Sequence, residues 1–377
     1  MTSVFDTRIE RDPKHSMKWK RYDGRDIIPC WVADMDFAVP ASVQEAMMDF
    51  NQHGVYGYLN PEDYEEGRAA IVDWLEYRHG CRIPEEWIVW MPGVVPGFNI
   101  ACRAFTEAGE GIVVQTPNYP PILNVHKNHQ LESLTVPVVQ DEHGPALDFE
   151  RLSQQAASKH CKMMILCNPM NPNGKVLSKE SLQQLADICE KNDLVLVSDE
   201  IHCDLILEPD VQHTPAFSLD SLQECSVTLM SAAKTFNIAG LGVSFGIIPN
   251  ARLRRRFLQA ANGLAPWANV LGLLATTAAF NGGREWHAEL INYLRVNRDY
   301  LFDAVGQLPG LSMQKSEATF LAWLDARGLN ADNNQQWFEE RGVGPSPGVD
   351  FGAAGFARIN FACPKSQLER IVERLQP

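Results

Sequence analysis

The segment LVLVSDEIH (194–202) decides how this chain is read. Leu194 to Val197 form a short, unbroken run of Val and Leu, as in a strand covered on both faces, and the run ends on Asp199 and Glu200. Working outward, the same pattern recurs in WIVWM (87–91), GIVVQ (111–115), MMILC (163–167), VTLMS (227–231) and VSFGII (243–248). Amphipathic stretches lie between these runs. In one of them Ser178 is placed to cap a helix whose Leu182, Leu185 and Cys189 recur at helical spacing before Asn192-Asp193 ends it. Buried strands alternating with helices predict an α/β fold, a mostly parallel sheet with helices on both faces.

The last hundred residues read differently. A long helical stretch (about 284–306) and Pro309-Gly310 precede strand candidates TFLAWL (319–324) and ARINF (357–361), and a closing helix starts near Lys365. Helices grouped beside a small sheet predict a smaller α+β domain. The expected division is an N-terminal segment (1–45) packing with the small domain, a large domain (46–281), and the small C-terminal domain (282–377).

Composition bounds the function. The chain carries 33 Lys and Arg against 47 Asp and Glu, a net charge of −14, which argues against a nucleic-acid surface. Hydrophobic residues at 45% and charged residues at 21% suit a large globular core. The apolar stretch from Phe257 to Phe280 is broken by Gln259, Asn262, Pro266 and Asn269, so no membrane span is expected. Nine cysteines with no C-x-x-C pair fit reduced thiols, and the expected location is cytoplasmic. No metal site is expected: His126 and His129 share a helical face but have no third ligand nearby.

In open α/β sheets, ligands bind beyond the carboxyl ends of the strands. Here those ends carry Pro92-Gly93-Val94-Val95, Thr116-Pro117-Asn118-Tyr119, Asn168 to Gly174, Asp199 to His202, and Ala232-Ala233-Lys234. A strand-end lysine can form a Schiff base with an aldehyde, and an acid beside it can keep a pyridine nitrogen protonated. A tyrosine can stack on the ring and an asparagine can donate to its phenolic oxygen. Gly93 before a helix offers backbone N–H groups to a phosphate. Together these are the needs of pyridoxal 5′-phosphate (PLP).

N-P-x-G (Asn171 to Gly174), S-D-E-I-H (Ser198 to His202) and S-x-x-K-T-F-N-x-A-G-L (Ser231 to Leu241) resemble the fold-type I PLP-dependent transferase fold of the class I/II aminotransferase superfamily. W-V-A-D-M-D-F (Trp31 to Phe37), H-G-V-Y-G-Y (His53 to Tyr58), P-G-V-V (Pro92 to Val95) and F-x-R-I-N-x-A-x-P (Phe356 to Pro364) resemble, more narrowly, the MalY/PatB-type cystathionine β-lyases. The resemblance runs from about Phe5 to the C-terminus.

That resemblance implies a role for each matching residue. Lys234 would hold the cofactor and shuttle the proton, Asp199 would pair with the pyridine nitrogen, Asn171 with the ring oxygen, and Tyr119 would stack on the ring. The amides of Val94 and Val95, with the Ser231 hydroxyl, would hold the phosphate, and His202 would line the cofactor. Arg358 would bind the substrate carboxylate through a bidentate fork, with Ala33 and Asp34 beside the substrate. Two subunits share each site in such enzymes, so a homodimer is implied, with Tyr58 reaching the partner's phosphate.

Three positions depart from the wider superfamily. Gly242 stands where many members carry a phosphate-binding Arg, and Ala233 where Ser often precedes the lysine. His202 stands where Tyr is common; the lyase subgroup shares this His, which favours β-elimination. The implied reaction cleaves L-cystathionine or related cysteine S-conjugates to a thiol, pyruvate and ammonia. An aminotransferase on the same scaffold, and a PLP-binding regulatory protein with secondary lyase activity, are the alternatives. Gly242-Val243-Ser244-Phe245-Gly246 matches a hydrolase nucleophile elbow, but Ile247-Ile248 continues a strand and no acid–histidine pair follows at workable spacing.

Overall fold

The computed structural model describes residues 3–141, 144–329 and 331–376. A two-residue strand β1 (Ile28–Pro29) precedes eight strands that form one sheet. These are β2 (Ile88–Met91), β3 (Gly111–Thr116), β4 (Glu132–Asp141), β5 (Gly144–Leu147), β6 (Cys161–Cys167), β7 (Val195–Asp199), β8 (Ser226–Met230) and β9 (Ser244–Ile247). Their order across the sheet is β2-β9-β8-β7-β6-β3-β4-β5. The pairs β3–β4, β3–β6, β6–β7 and β7–β8 are parallel, while β9 runs antiparallel to both neighbours and β5 antiparallel to β4.

The continuous apolar runs are explained by burial on both faces. Ile112, Val114, Ile165 and Val197 pack on one side of the sheet, and Val113, Met164, Leu166 and Leu196 on the other, all 0–1% exposed. The helix Lys179–Asn192 has the expected ends: Ser178 Oγ accepts from Ser181 N, and Asp193 closes it at φ 53°. The β4–β5 hairpin was not expected from the sequence. β4 contains Pro137 and is largely exposed along its length, so it lacks the unbroken apolar signature. Ser244, the centre of the nucleophile-elbow match, lies inside β9 opposite Met91 with no helix following it directly.

The smaller sheet is antiparallel, in the order β10 (Ser312–Met313), β11 (Leu321–Asp325), β14 (Phe356–Asn360), β13 (Ser346–Pro347). The helices Arg284–Val305 and Lys365–Leu375 cover it, burying Leu290, Leu294, Leu301, Leu368 and Ile371. β1 pairs in parallel with β12 (Val343–Gly344), and Phe5, Met35 and Phe37 join the same core. Thus residues from both ends of the chain share one apolar cluster. Among the described residues no helix is long and apolar enough to cross a membrane.

Candidate active site

Five strands of the large sheet that run in one direction lead past their carboxyl ends into one cavity of about 430 Å³. β7 ends on Asp199, and β8 leads through Ser231 into the single turn Ala232–Thr235 that carries Lys234. β6 leads to Asn171 and β3 to Tyr119, while β2 leads to Gly93 and the helix Val94–Phe105. From the smaller sheet, β14 contributes Arg358. This placement beyond the strand ends, at the junction of two sheets, is the usual location of a ligand site in such folds.

The Lys234 ammonium donates to the Ala33 carbonyl at 2.6 Å. Burial and the nearby Arg358 charge bring its pKa down to about 8, against the opposing pull of Asp34 and Asp199. Burial pushes Asp199 up to about 7, even though it accepts from Ile201 N at 3.2 Å and faces Lys234. His202 is fully enclosed beside Lys234 and Arg358; burial first, then those two charges, hold it well below its ordinary value, so the ring is neutral. Its Nδ1 is buried with no hydrogen-bond partner.

Arg358 is buried, and its guanidinium is fixed from several sides. Nη1 donates to Asn171 Oδ1 at 2.9 Å and Nη2 to the Trp31 carbonyl at 2.7 Å, while the Phe351 ring lies 4.6 Å from the guanidinium carbon. Its Nε is buried without a partner. Burial brings the Arg358 pKa down to about 10, which leaves it charged at neutral pH.

The loop 31–37 forms the remaining wall; on the cavity side it is held through its carbonyls, and behind it through the Asp34 and Asp36 carboxylates. Asn360 Nδ2 donates to Val32 and Asp34 oxygens at 2.6 Å each. Asn237, at φ 59°, accepts from Met35 N at 2.9 Å and donates to the Met35 and Phe37 carbonyls. Behind the loop, Lys18 pairs with Asp36 at 2.8 Å and Arg11 with Asp34 at 3.2 Å.

Residues 26–375 match the family described as aminotransferase class I and II. The chain belongs to the class I and II aminotransferase family. Within that family it is 36% identical to cystathionine β-lyase PatB of Bacillus subtilis (strain 168), over 99% of this chain and 98% of PatB. The crystal structure of OvoB superposes with a TM-score of 0.94 at 42% identity, covering 98% of this chain and 97% of that one. Cystalysin from Treponema denticola, whose structure contains pyridoxal 5′-phosphate, gives a TM-score of 0.93 at 33% identity, covering 100% and 98%.

In this member of the class I and II aminotransferase family the cavity suits an aromatic aldehyde that carries a phosphate. Gly93 enters the helix Val94–Phe105 at φ 149° with no side chain capping it, so the first-turn N–H groups of Val94 and Val95 are left for an anion. Lys234, whose lowered pKa leaves a share of it unprotonated near neutral pH, can add to an aldehyde, and the Asp199 carboxyl can accept from a ring nitrogen. The unpartnered Nδ1 of His202 and Nε of Arg358 mark polar capacity that the protein alone does not use.

Most of the residues singled out from the sequence meet here: Ala33, Val94, Val95, Tyr119, Asn171, Asp199, His202, Ser231, Lys234 and Arg358 all line the cavity. Ser231 Oγ also donates to the Val243 carbonyl at 2.7 Å and accepts from Ala233 N at 3.0 Å. Asp34 stands behind the lining, its carboxylate turned to Arg11 and Lys18. Tyr58 is fully exposed and lines a separate cleft with Tyr56, Leu59 and Ala265–Leu271, away from its own chain's Lys234.

Sequence reasoning missed three supports, Ser346, Phe351 and Asn237. Of these, Asn237 alone lay inside a recognised motif. It also missed a buried anchor beneath the site. Asp204 accepts from Trp74 Nε1 at 2.9 Å and meets His79 Nε2 at 3.1 Å, and its carbonyl meets His287 Nε2 at 2.7 Å. Burial would raise its pKa, but His79 and Arg78 outweigh that and hold the carboxyl well below the usual range. His79, Cys203 and Asp204 stand close enough to suggest metal ligands. With Trp74 and Arg78 on the same carboxylate, the cluster fastens the 199–204 segment to the helix Glu65–His79.

Proposed function

We propose that this chain is a pyridoxal 5′-phosphate-dependent carbon–sulfur β-lyase. Its substrates are L-cystathionine or related cysteine S-conjugates, and its products are a thiol (homocysteine from cystathionine), pyruvate and ammonia. The observation that carries this reading is the convergence of Lys234, Asp199, Asn171, Tyr119 and Arg358 on one cavity with His202 and Gly242 beside them, in a chain similar throughout its length to cystathionine β-lyase PatB.

Bound in this cavity, PLP supplies an electron sink that makes the α-proton of an amino acid acidic. The protein's part follows from the groups described. Asp199, its pKa pushed up to about 7 by burial, would accept from the ring nitrogen, whose positive charge would draw the carboxyl back to its ionised form. Asn171 would donate to the ring oxygen through the amide nitrogen that Arg358 leaves free, Tyr119 would cover the ring face, and the Val94 and Val95 amides would hold the phosphate, joined by Ser231 once its hydroxyl turns from the Val243 carbonyl. Arg358 would take the substrate carboxylate beside Ala33, while Asp34, expected there from the sequence, instead anchors the loop from behind through Arg11 and Lys18. Lys234, with a pKa near 8, is a base and acid suited to moving the α-proton near neutral pH.

A homodimer completes the proposal. Tyr58, Tyr56, Val55, Leu264 and Trp267 are all exposed, an apolar and aromatic surface of the kind a second subunit covers. Tyr58 is assigned to the partner's phosphate site. The nine unpaired cysteines support a reducing, cytoplasmic setting. Segments 1–45 and 282–377 are assigned to one small domain against the large domain 46–281; Met1, Thr2 and Pro377 at their outer ends lie outside the described residues.

Product analysis tests the reading. Incubation of the holoenzyme with L-cystathionine is expected to release free thiol and pyruvate in equal amounts. Amino-group exchange with 2-oxo acids in the absence of both products would overturn it in favour of an aminotransferase.

A further inference from the structure

Besides His202, four acidic or basic residues line the active-site cavity: Asp199, Lys234, Arg358 and Asp350. The first three are buried or nearly so and are accounted for by the cofactor and the substrate carboxylate. Asp350 differs on both counts. It is exposed, so it stands at the mouth, and no ion pair or hydrogen bond engages its carboxylate among the described residues.

The backbone that carries it is rigid. Asp350 lies in the single turn Gly348–Phe351, whose last carbonyl accepts from Asn118 N at 3.1 Å, directly before Tyr119 of the cavity wall. Phe351 is 2% exposed, with its ring 5.5 Å from Trp323 and 4.6 Å from the Arg358 guanidinium. Gly348 admits no side chain, because a Cβ there would lie 2.3 Å from the Ala353 carbonyl. Asp350 is therefore fixed one residue from the ring that covers the carboxylate-binding arginine. Met17, which is exposed, and Trp31 give the same cavity apolar and aromatic lining.

From this arrangement we infer that Asp350 is a specificity residue that selects, among thioether substrates, those whose leaving group ends in a cation or hydrogen-bond donor. With its carboxylate at the buried Arg358, a substrate would have its β-substituent free to extend toward the exposed side of the cavity, where Asp350 stands. The apolar mouth suits the methylene and sulfur of a thioether, and the carboxylate at its rim attracts a positive end and repels a negative one. The inference rests on the lyase reading above and names the substrate class within it.

The test uses three probes with the holoenzyme: S-(2-aminoethyl)-L-cysteine, S-ethyl-L-cysteine and S-(carboxymethyl)-L-cysteine. Pyruvate release gives kcat and KM, and the change in cofactor absorbance on titration gives binding separately. Because the distal contact is the same before and during bond cleavage, the effect falls on KM and on binding, with kcat little changed.

For D350N, binding of the aminoethyl probe is expected to weaken about fivefold relative to the ethyl probe, and the carboxymethyl probe to gain by a similar factor, as for a partly exposed ion pair. D350K should invert the order, and D350E should restore it. Equal changes for all three probes would instead report a field acting on Arg358 and would overturn the inference, as would no change at all. If neither the probes nor L-cystathionine yields pyruvate the lyase reading fails, while the binding order still decides the role of Asp350.

Discussion

Arg358 Nη1 donates to Asn171 Oδ1 at 2.9 Å, which joins the residue assigned to the substrate carboxylate to the one assigned to the cofactor ring. The two cannot be altered independently. R358K keeps the charge but loses the planar fork, the contact to Asn171 and the second contact to the Trp31 carbonyl. KM for the amino-acid substrate is expected to rise about tenfold or more, the scale of one charge-assisted hydrogen bond. N171A should raise KM as well and also loosen the cofactor, which dialysis followed by absorbance would reveal.

Among the described residues Lys234 is the only lysine lining the cavity, and its ammonium is held at 2.6 Å by a backbone carbonyl. K234A should lower pyruvate release by about a thousandfold or more, within or beyond the range for losing a positioned base. The purified variant should keep a far-ultraviolet circular dichroism spectrum like the parent's but lose the visible band that borohydride reduction abolishes.

Asp199 and Lys234 are both held in ionisation states that burial opposes, with pKa values of about 7 and about 8. The Asp199 pKa is raised above that of the unfolded chain, so the folded protein binds the extra proton between about pH 4 and 7. Stability from this group is therefore present at low pH and lost as pH rises through 7. For Lys234 the folded pKa is depressed, so stability is recovered only as pH rises from about 8 toward 10.5. At neutral pH each group costs on the order of 3 kcal/mol. In the cofactor-free protein, D199N should raise the melting temperature, by little at pH 4 and by more at pH 7. Calorimetry across that range checks the sign.

Gly174 has φ 74°, and a Cβ there would lie 2.5 Å from Ser316 Cβ and 2.7 Å from the Ala318 carbonyl. Neither neighbour can move without shifting the segment that leads into β11. G174A should lower the denaturant midpoint by the equivalent of about 2 kcal/mol or more, combining backbone strain with overpacking. Urea unfolding followed by fluorescence measures it.

If Tyr58 serves the partner's site, two damaged subunits should repair each other. Y58A and K234A, each deficient alone, would form mixed dimers with one intact site. Unfolding and refolding a one-to-one mixture should recover about a quarter of the parent's activity, from random pairing in a symmetric dimer. Recovery no greater than the sum of the two variants would remove Tyr58 from the shared site.

The large sheet was legible because β3, β6, β7 and β8 are covered on both faces, which writes unbroken apolar runs into the sequence. Lys234, Asp199 and Asn171 were legible because each follows such a run within a few residues. The edge hairpin β4–β5 was not, since Pro137 and alternating exposure erase the signal. The contacts of loop 31–37 were hidden for another reason. Asn360, Asn237, Arg358 and Lys234 all hold it by backbone carbonyls, which every residue type possesses, so the identities of Val32 and Ala33 carry no trace of the partner. Asp350 was invisible because nothing in the sequence distinguishes an acid at a cavity rim from any surface acid.

The pairing of Ile28 with Val343 joins positions separated by most of the chain. On a ribosome the first forty residues emerge long before β12 and β14 exist, and the eight-stranded sheet can close while they wait. Such distant contacts form late because a long loop must be closed before they contribute anything. A nascent chain stopped after β9 would thus display Asp199 and Lys234 on a finished sheet, yet without Arg358 and without the strand that fixes Ala33. Capture of the substrate is in this sense a post-synthetic property, acquired only when the two ends of the polypeptide meet.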